Sequence, residues 1–178
     1  MTTVEAGSAP RQTFVIVGGG LAGAKAAQTL REEGFTGRIQ LVGAEAERPY
    51  ERPPLSKAYL AGADERDSIY VHGPGWYGEH EVDLRLGSPA VDLDPTGHEL
   101  TLGTGERLRY DQLLLATGSS ARRLPGTDLD GLYYLRDVQD ADLLHAALAC
   151  GGRHVVVVGA GWIGMEVAAA ARGHGNDV

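Results

Sequence analysis

Two stretches of this chain share one pattern of apolar, small and polar positions. Thr13-Phe-Val-Ile-Val17 is an apolar run of strand length that meets three glycines. A helix-forming segment follows, closed by Gly34 and Gly37. His154-Val-Val-Val-Val158 behaves alike: it meets Gly159, Gly161 and Gly164, a helix then runs to about Arg172, and Gly173–Gly175 ends it. Arg38–Val42 reads as a second strand. Paired prolines at Pro53 and Pro54 predict a rigid entry, with a short helix over Leu55–Leu60 and Gly62 as its stop. Gly73–Gly78, with Trp76 and Tyr77, predicts a turn and a short helix packed on the core.

From Val82 the period becomes two. Val82–Leu86 alternates; Ala90–Leu93, the turn Asp94–Gly97 and His98–Leu102 predict a hairpin, and Gly103–Gly105 leads into Arg107–Tyr110. We read Val82–Tyr110 as an antiparallel meander inserted into an α/β domain. Leu113–Ala116 is continuously apolar, the mark of a parallel strand covered on both faces. Ala121–Gly131 reads as a linker and Asp137–Ala149 as a helix. After Gly175 the chain reaches Asn176-Asp-Val178, where a further strand is due.

The spacing of the small residues points to chemistry. Gly18, Gly20 and Gly23 make G-x-G-x-x-G, with Ala27 beyond them. The first glycine permits a tight turn, the second lets backbone approach a pyrophosphate, and the third, with Ala27, permits close helix–sheet packing. The helix N-terminus then turns free N–H groups toward the phosphates. Glu45, just past the second strand, stands roughly 20 residues beyond Gly23, where a carboxylate accepts from ribose hydroxyls. Gly159, Gly161, Gly164 and Ala168 repeat the motif, so the chain is expected to hold two dinucleotide sites. The acid of the second copy would lie past Val178.

Composition narrows the partners. The 178 residues are 43% hydrophobic with a formal net charge of −8. That argues against a general nucleic-acid or membrane-surface role. The one cysteine, Cys150, cannot form an internal disulfide, and the six histidines show no metal-ligand spacing. Any redox chemistry must therefore come from a bound cofactor. Met1–Gln12 has no signal-peptide pattern and reads as a flexible tail. No apolar run approaches the ~20 residues of a membrane span. A cytoplasmic protein is expected.

These residues resemble the FAD-dependent pyridine nucleotide-disulfide oxidoreductase superfamily, and most closely its ferredoxin/rubredoxin reductase branch, which serves aromatic-ring dioxygenases and haem monooxygenases. The first loop (Gly18–Gly23), Arg52-Pro-Pro-Leu-Ser-Lys57, Tyr110–Gly118 and Val158-Gly-Ala-Gly-Trp-Ile-Gly-Met-Glu166 are similar to that branch, in its order. The resemblance implies a Rossmann-like FAD-binding domain over 13–120 with the inserted meander. After it would come a linker and the truncated start of a Rossmann-like NAD(P)-binding domain over 121–178, with 1–12 as tail.

It also implies roles. Gly18, Gly20, Leu21, Ala22 and Gly23 would bind FAD pyrophosphate and Glu45 its adenosine ribose. Lys57 would lie beside the reactive flavin ring, where a cation stabilises developing negative charge; read alone it is a solvated helix lysine. Arg52, Ala90, Ala116, Thr117, Gly118 and Arg136 would contact FAD. Gly159, Gly161, Trp162, Ile163 and Gly164 would bind NAD(P)H, with NADH preferred. Glu166 would approach the nicotinamide and pair with Lys57; its other reading is a favourable acid in a helix's first turn. The C-x-x-x-x-C pair of the superfamily's disulfide reductases is missing, so electrons would leave for an external ferredoxin- or rubredoxin-type carrier. Trp76, Tyr77, Tyr133 and Tyr134 are expected to pack rather than relay electrons. Other flavin reductases of the superfamily, such as a nitrite reductase subunit or NADH oxidase-like enzyme, remain open, as does an inactive nucleotide-binding remnant. The chain is expected to be an amino-terminal fragment, inactive alone.

Overall fold

A computed structural model describes residues 12–126 and 129–178. The expected tail lies outside the described residues except for Gln12, as do Thr127 and Asp128 of the expected linker. The chain forms two compact units. One ends at Tyr50 and resumes over Val71–Gly118; the other takes Glu51–Tyr70 and Ser119–Val178.

The first unit is built on β1 (Thr13–Val17). Helix α1 (Leu21–Glu32) returns the chain to β2 (Arg38–Val42), which pairs with β1 in parallel, Ile16 opposite Leu41. The sheet order is β3-β2-β1-β7, with β3 at Val82–Arg85 and β7 at Gln112–Leu115. Strand periodicity sorts its core. Val15, Val17 and Val42 pack with Leu100, Leu102 and Leu108 on one face, and Ile16, Ile39 and Leu41 with Ala27, Tyr77 and Val82 on the other. Short helix α2 (Trp76–Glu79) delivers Tyr77 there, and Trp76 stacks between His72 and His80, at centroid distances of 3.8 and 4.2 Å. Both aromatics pack as expected.

The meander is smaller than its alternating sequence implied. It comprises β4 (Ala90–Asp94), β5 (Glu99–Leu102) and β6 (Arg107–Arg109), joined antiparallel. Asp94 Oδ1 accepts from the Thr96 and Gly97 amides and shapes the first turn. Val82–Arg85, by contrast, joins the parallel sheet beside β2. Its alternation reflects half-burial, which an outer parallel strand shares with an antiparallel one; a salt-bridged Asp83 faces Gln40 there. β7 also departs from expectation. It pairs only with β1 among the described residues, Leu113 and Leu114 are half-buried, and Leu115 is exposed.

The second unit packs Leu60, Leu144, Leu148, Ala170 and Ala171 together. Helix α3 (Val138–Leu148) begins at a reciprocal capping box between Asp137 and Asp140, and α4 spans Trp162–Gly173. The predicted helix over Leu55–Leu60 is instead a 3₁₀ turn, Pro53–Ser56, followed by irregular turns to Gly62, whose φ is +72°. Leu55 and Lys57 donate three residues back, to the carbonyls of Arg52 and Pro54, the tighter 3₁₀ pattern. The predicted strand His154–Val158 does not form a ladder. One parallel bridge, His154 to Asp177, is all the pairing it has among the described residues, and Val156 and Val158 are 86% and 74% exposed. An extended apolar segment becomes a strand only when neighbours take up its N–H and C=O groups.

Candidate functional site

Each glycine of the first loop meets a different physical demand. A Cβ on Gly18 would lie 2.0 Å from the Ala116 carbonyl oxygen, and φ there is +126°. One on Gly23 would lie 2.0 Å from the Gly18 oxygen and 3.1 Å from Leu41 Cδ1. Both are required by the fold's own packing. Gly20 is not: its φ is −98° and none of the described residues lies within 4 Å of a Cβ built on it. The open space beside this backbone is a cradle that a side chain would fill and a pyrophosphate fits. Gly20 is also the N-cap of α1, with no side-chain cap and no acid in the first turn. The amides of Leu21, Ala22 and Gly23 thus begin a helix with the field an anion requires.

Around this loop the first unit gathers several expected site residues. Ala116 donates its amide to Val17 O at 2.7 Å, which brings Ala116 and Thr117 against Gly18. Gly118 follows with φ +67°. Glu45 lies past β2, half-buried; Tyr50 Oη donates to its Oε2 at 2.5 Å, and its carbonyl accepts from Gly87. Ala90 opens β4, half-buried and opposite Leu102.

The second loop repeats the local geometry. A Cβ on Gly164 would lie 2.0 Å from the Gly159 oxygen and 3.2 Å from Val157 Cγ1. Gly161, the N-cap of α4, has ordinary φ (−78°), no side-chain cap and no acid in the first turn, and none of the described residues lies within 4 Å of a built Cβ. Trp162 and Ile163 are exposed at this helix start. The residues present again fit a dinucleotide pyrophosphate.

Polar side chains hold the Glu51–Tyr70 segment within the second unit. Lys57 Nζ meets Glu166 Oε1 at 2.9 Å, and Ser56 Oγ donates to Glu166 Oε2 at 2.5 Å. Glu166 lies in the second turn of α4, so a first-turn helix-dipole role does not describe it. The hydrogen bond from Ser56, then the ammonium of Lys57, hold its carboxyl below the ordinary glutamate range against a smaller desolvation effect. Asp142 is used the same way: Tyr59 Oη donates to Oδ1 and Arg66 to Oδ2. Burial, then the carboxylate, push the Tyr59 hydroxyl's pKa up. Arg52 donates to the Arg136 carbonyl at 2.5 Å, and Arg136 Nε is a buried donor with no hydrogen-bond partner among the described residues. A buried unsatisfied donor requires explanation, and an acceptor on a bound cofactor fits it.

Sequence reading missed Ser56, Asp142 and Asn176. Asn176 is buried and fully engaged: Nδ2 donates to Leu148 O and Ala171 O, and Oδ1 accepts from Arg153 N. Ser56 lies within the Arg52–Lys57 motif, which marked the segment but gave the hydroxyl no role, and Asp142 and Asn176 sit in no pattern that would mark them. Among the described residues no group of three or more potential metal ligands occurs, and no helix is long and apolar enough to cross a membrane.

A parallel sheet entered through one glycine-rich turn, with a second such turn opening another helix, defines a dinucleotide-binding α/β protein. Comparison with known proteins sharpens this class. Residues 12–178 match the family model described as pyridine nucleotide-disulphide oxidoreductase, and the chain belongs to that family. It is 44% identical over 169 residues to rhodocoxin reductase of Rhodococcus erythropolis, covering 93% of this chain and 39% of that protein. It is 46% identical over 160 residues to the 3-phenylpropionate/cinnamic acid dioxygenase ferredoxin–NAD(+) reductase component of Photorhabdus laumondii, covering 89% and 40%. Its fold is similar to the crystal structure of the covalent putidaredoxin reductase–putidaredoxin complex, with TM-score 0.89, 38% identity and coverage of 93% and 40%. The chain thus spans about two fifths of these relatives' length.

Proposed function

We propose that the whole protein is an FAD-dependent NAD(P)H oxidoreductase that passes single electrons to a ferredoxin- or rubredoxin-type protein in the cytoplasm. The observation that carries this reading is the pair of open glycines, Gly20 and Gly161, each capping a helix start and each free of any packing demand from the described residues. FAD would supply conversion of a two-electron hydride into single electrons. The names of the relatives, a ferredoxin–NAD(+) reductase component and rubredoxin-NAD(+) reductase, favour NADH and this class of acceptor.

The chain's own residues then bind and orient. Leu21, Ala22 and Gly23 present amides to the FAD pyrophosphate, and Glu45, steadied by Tyr50, accepts from the adenosine ribose. Ala90, Ala116, Thr117 and Gly118 of the first unit would line the same cofactor. Gly159, Gly161, Trp162, Ile163 and Gly164 receive the nicotinamide nucleotide. Lys57 would bring a positive charge to the flavin, and Glu166, which pairs with that ammonium, would approach the nicotinamide.

Ultraviolet–visible titration with FAD tests the reading. In the whole protein, flavin bands appear, NADH bleaches them, and an oxidised ferredoxin restores them. Protein that shows no bound-flavin bands after FAD addition would be an inactive nucleotide-binding remnant instead.

A further inference from the structure

We propose that Ser56 is a positioning residue: its hydroxyl fixes one oxygen of Glu166 so that the other meets the Lys57 ammonium. The proposal rests on the roles given above to Lys57 and Glu166. Its geometry is independent of them. Ser56 and Lys57 are consecutive, and side chains of consecutive residues ordinarily diverge. Here the chain leaves a 3₁₀ turn at this point, and the two reach opposite oxygens of one carboxylate, at 2.5 and 2.9 Å. The other contact of Ser56 Oγ, to Pro53 O, is 3.5 Å long. Glu166 is therefore its main partner.

The two donors differ in what they can hold. Lys57 is 53% exposed on a long, flexible stem, and an exposed ion pair of that kind holds its geometry weakly because ordering the side chain opposes it. Ser56 is 6% exposed, has one short rotor, and sits on a turn stiffened by Pro53 and Pro54. A buried hydroxyl on a rigid turn fixes the carboxylate; the ammonium then finds one oxygen already oriented. The lowered carboxyl pKa, with the Ser56 bond as its largest cause, agrees. Asp142 provides an internal control. It takes a hydroxyl from Tyr59 and a cation from Arg66 in the same segment.

The test compares Ser56→Ala, Ser56→Thr and Tyr59→Phe in the full chain. Carbon-13 NMR follows titration of the Glu166 side-chain carboxyl, and acylation by an amine-reactive ester with peptide mapping follows Lys57. Ser56→Ala is expected to move Glu166 titration up toward the ordinary glutamate range. It is also expected to raise Lys57 labelling about two- to five-fold, the loss of a well-held exposed pair. Ser56→Thr restores both, and Tyr59→Phe leaves both unchanged. Unaltered titration and labelling in Ser56→Ala would overturn the proposal. So would equal changes in Tyr59→Phe, which would mean that Ser56 merely ties the segment down. Neither readout needs a cofactor. If Ser56→Ala behaves as expected but Glu166→Gln leaves flavin reduction by NADH unchanged in the whole protein, the functional reading fails and the positioning role stands.

Discussion

The strand–glycine–helix pattern occurs twice, in two different surroundings, and the comparison separates what is local from what is not. At both copies the third glycine packs against the carbonyl of the first, with the same 2.0 Å approach of a built Cβ. Both helices start at an uncapped glycine without a first-turn acid. The strands differ. β1 lies between β2 and β7, and Val15 and Ile16 are fully buried; in the second copy Val155 and Val157 face inward while Val156 and Val158 stay in water. Gly18 abuts Ala116, whereas a Cβ built on Gly159 meets none of the described residues within 4 Å. The turn and helix are set by a dozen consecutive residues. The strand and the floor of the loop are set by neighbours far along the chain.

Substitutions at matched positions test that contrast, and the first glycines give the largest effect. Gly18→Ala forces a Cβ into a backbone carbonyl and should cost about 4 kcal/mol or more. Gly159→Ala meets only backbone strain at φ +115° and should cost about 1–3 kcal/mol. Urea unfolding checks the pair; equal losses would mean that the second loop is as enclosed as the first. Next come the strand residues. Ile16→Ala should cost about 2–5 kcal/mol, while Val156→Ala should fall within about 0.5 kcal/mol of the parent. Thermal melts of the two variants read this directly.

The middle glycines should reverse the result. Gly20→Ala and Gly161→Ala meet open space at ordinary φ, so stability should change by less than about 1 kcal/mol. Cofactor affinity should nonetheless fall roughly tenfold or more in the whole protein, equivalent to about 1.4 kcal/mol. Equilibrium titration of FAD against Gly20→Ala, and of NADH against Gly161→Ala, decides whether each open space is a binding cradle.

The smallest effect is electrostatic, and each unit carries one example. Asp83 in the first unit has a carboxyl lowered overall: burial pushes it up, but hydrogen bonds from Gln40, Arg38 and Arg85 and the Arg85 charge outweigh that. Glu166 in the second is lowered by Ser56 and then Lys57. A depressed folded-state pKa stabilises above the unfolded value and loses that contribution as pH falls through the folded one. Both units should therefore weaken below the ordinary carboxylate range. Gln40→Leu should flatten the acid limb of the first unit only, and Lys57→Met that of the second only. Hydrogen exchange measured across an acid series resolves the two.

Much of the site was legible because glycine spacing and helix starts are local matters. Gly18–Gly23, Gly159–Gly164 and the Lys57–Glu166 pairing all lie where the sequence and its resemblance placed them or brought them together. Illegible were the partners that arrive from a distance. Ser56 gained its importance from Glu166, 110 residues away in sequence. Asp142 gained its own from Tyr59 and Arg66, and Asn176 from Leu148. Val82–Arg85 carried a period of two that holds for either sheet, and only pairing with β2 assigned it to the parallel one.

By itself the sequence determined the two glycine turns, the helices they open, the capped start of α3 and the hairpin turn at Asp94. Each depends on φ freedom, missing side chains or caps within a few residues. Only the tertiary structure decided which apolar run becomes a strand and which glycine is enclosed, and it alone brought the Ser56 hydroxyl onto the carboxylate that pairs with Lys57. Those outcomes depend on hydrogen-bond partners and packing surfaces contributed by residues dozens of positions away.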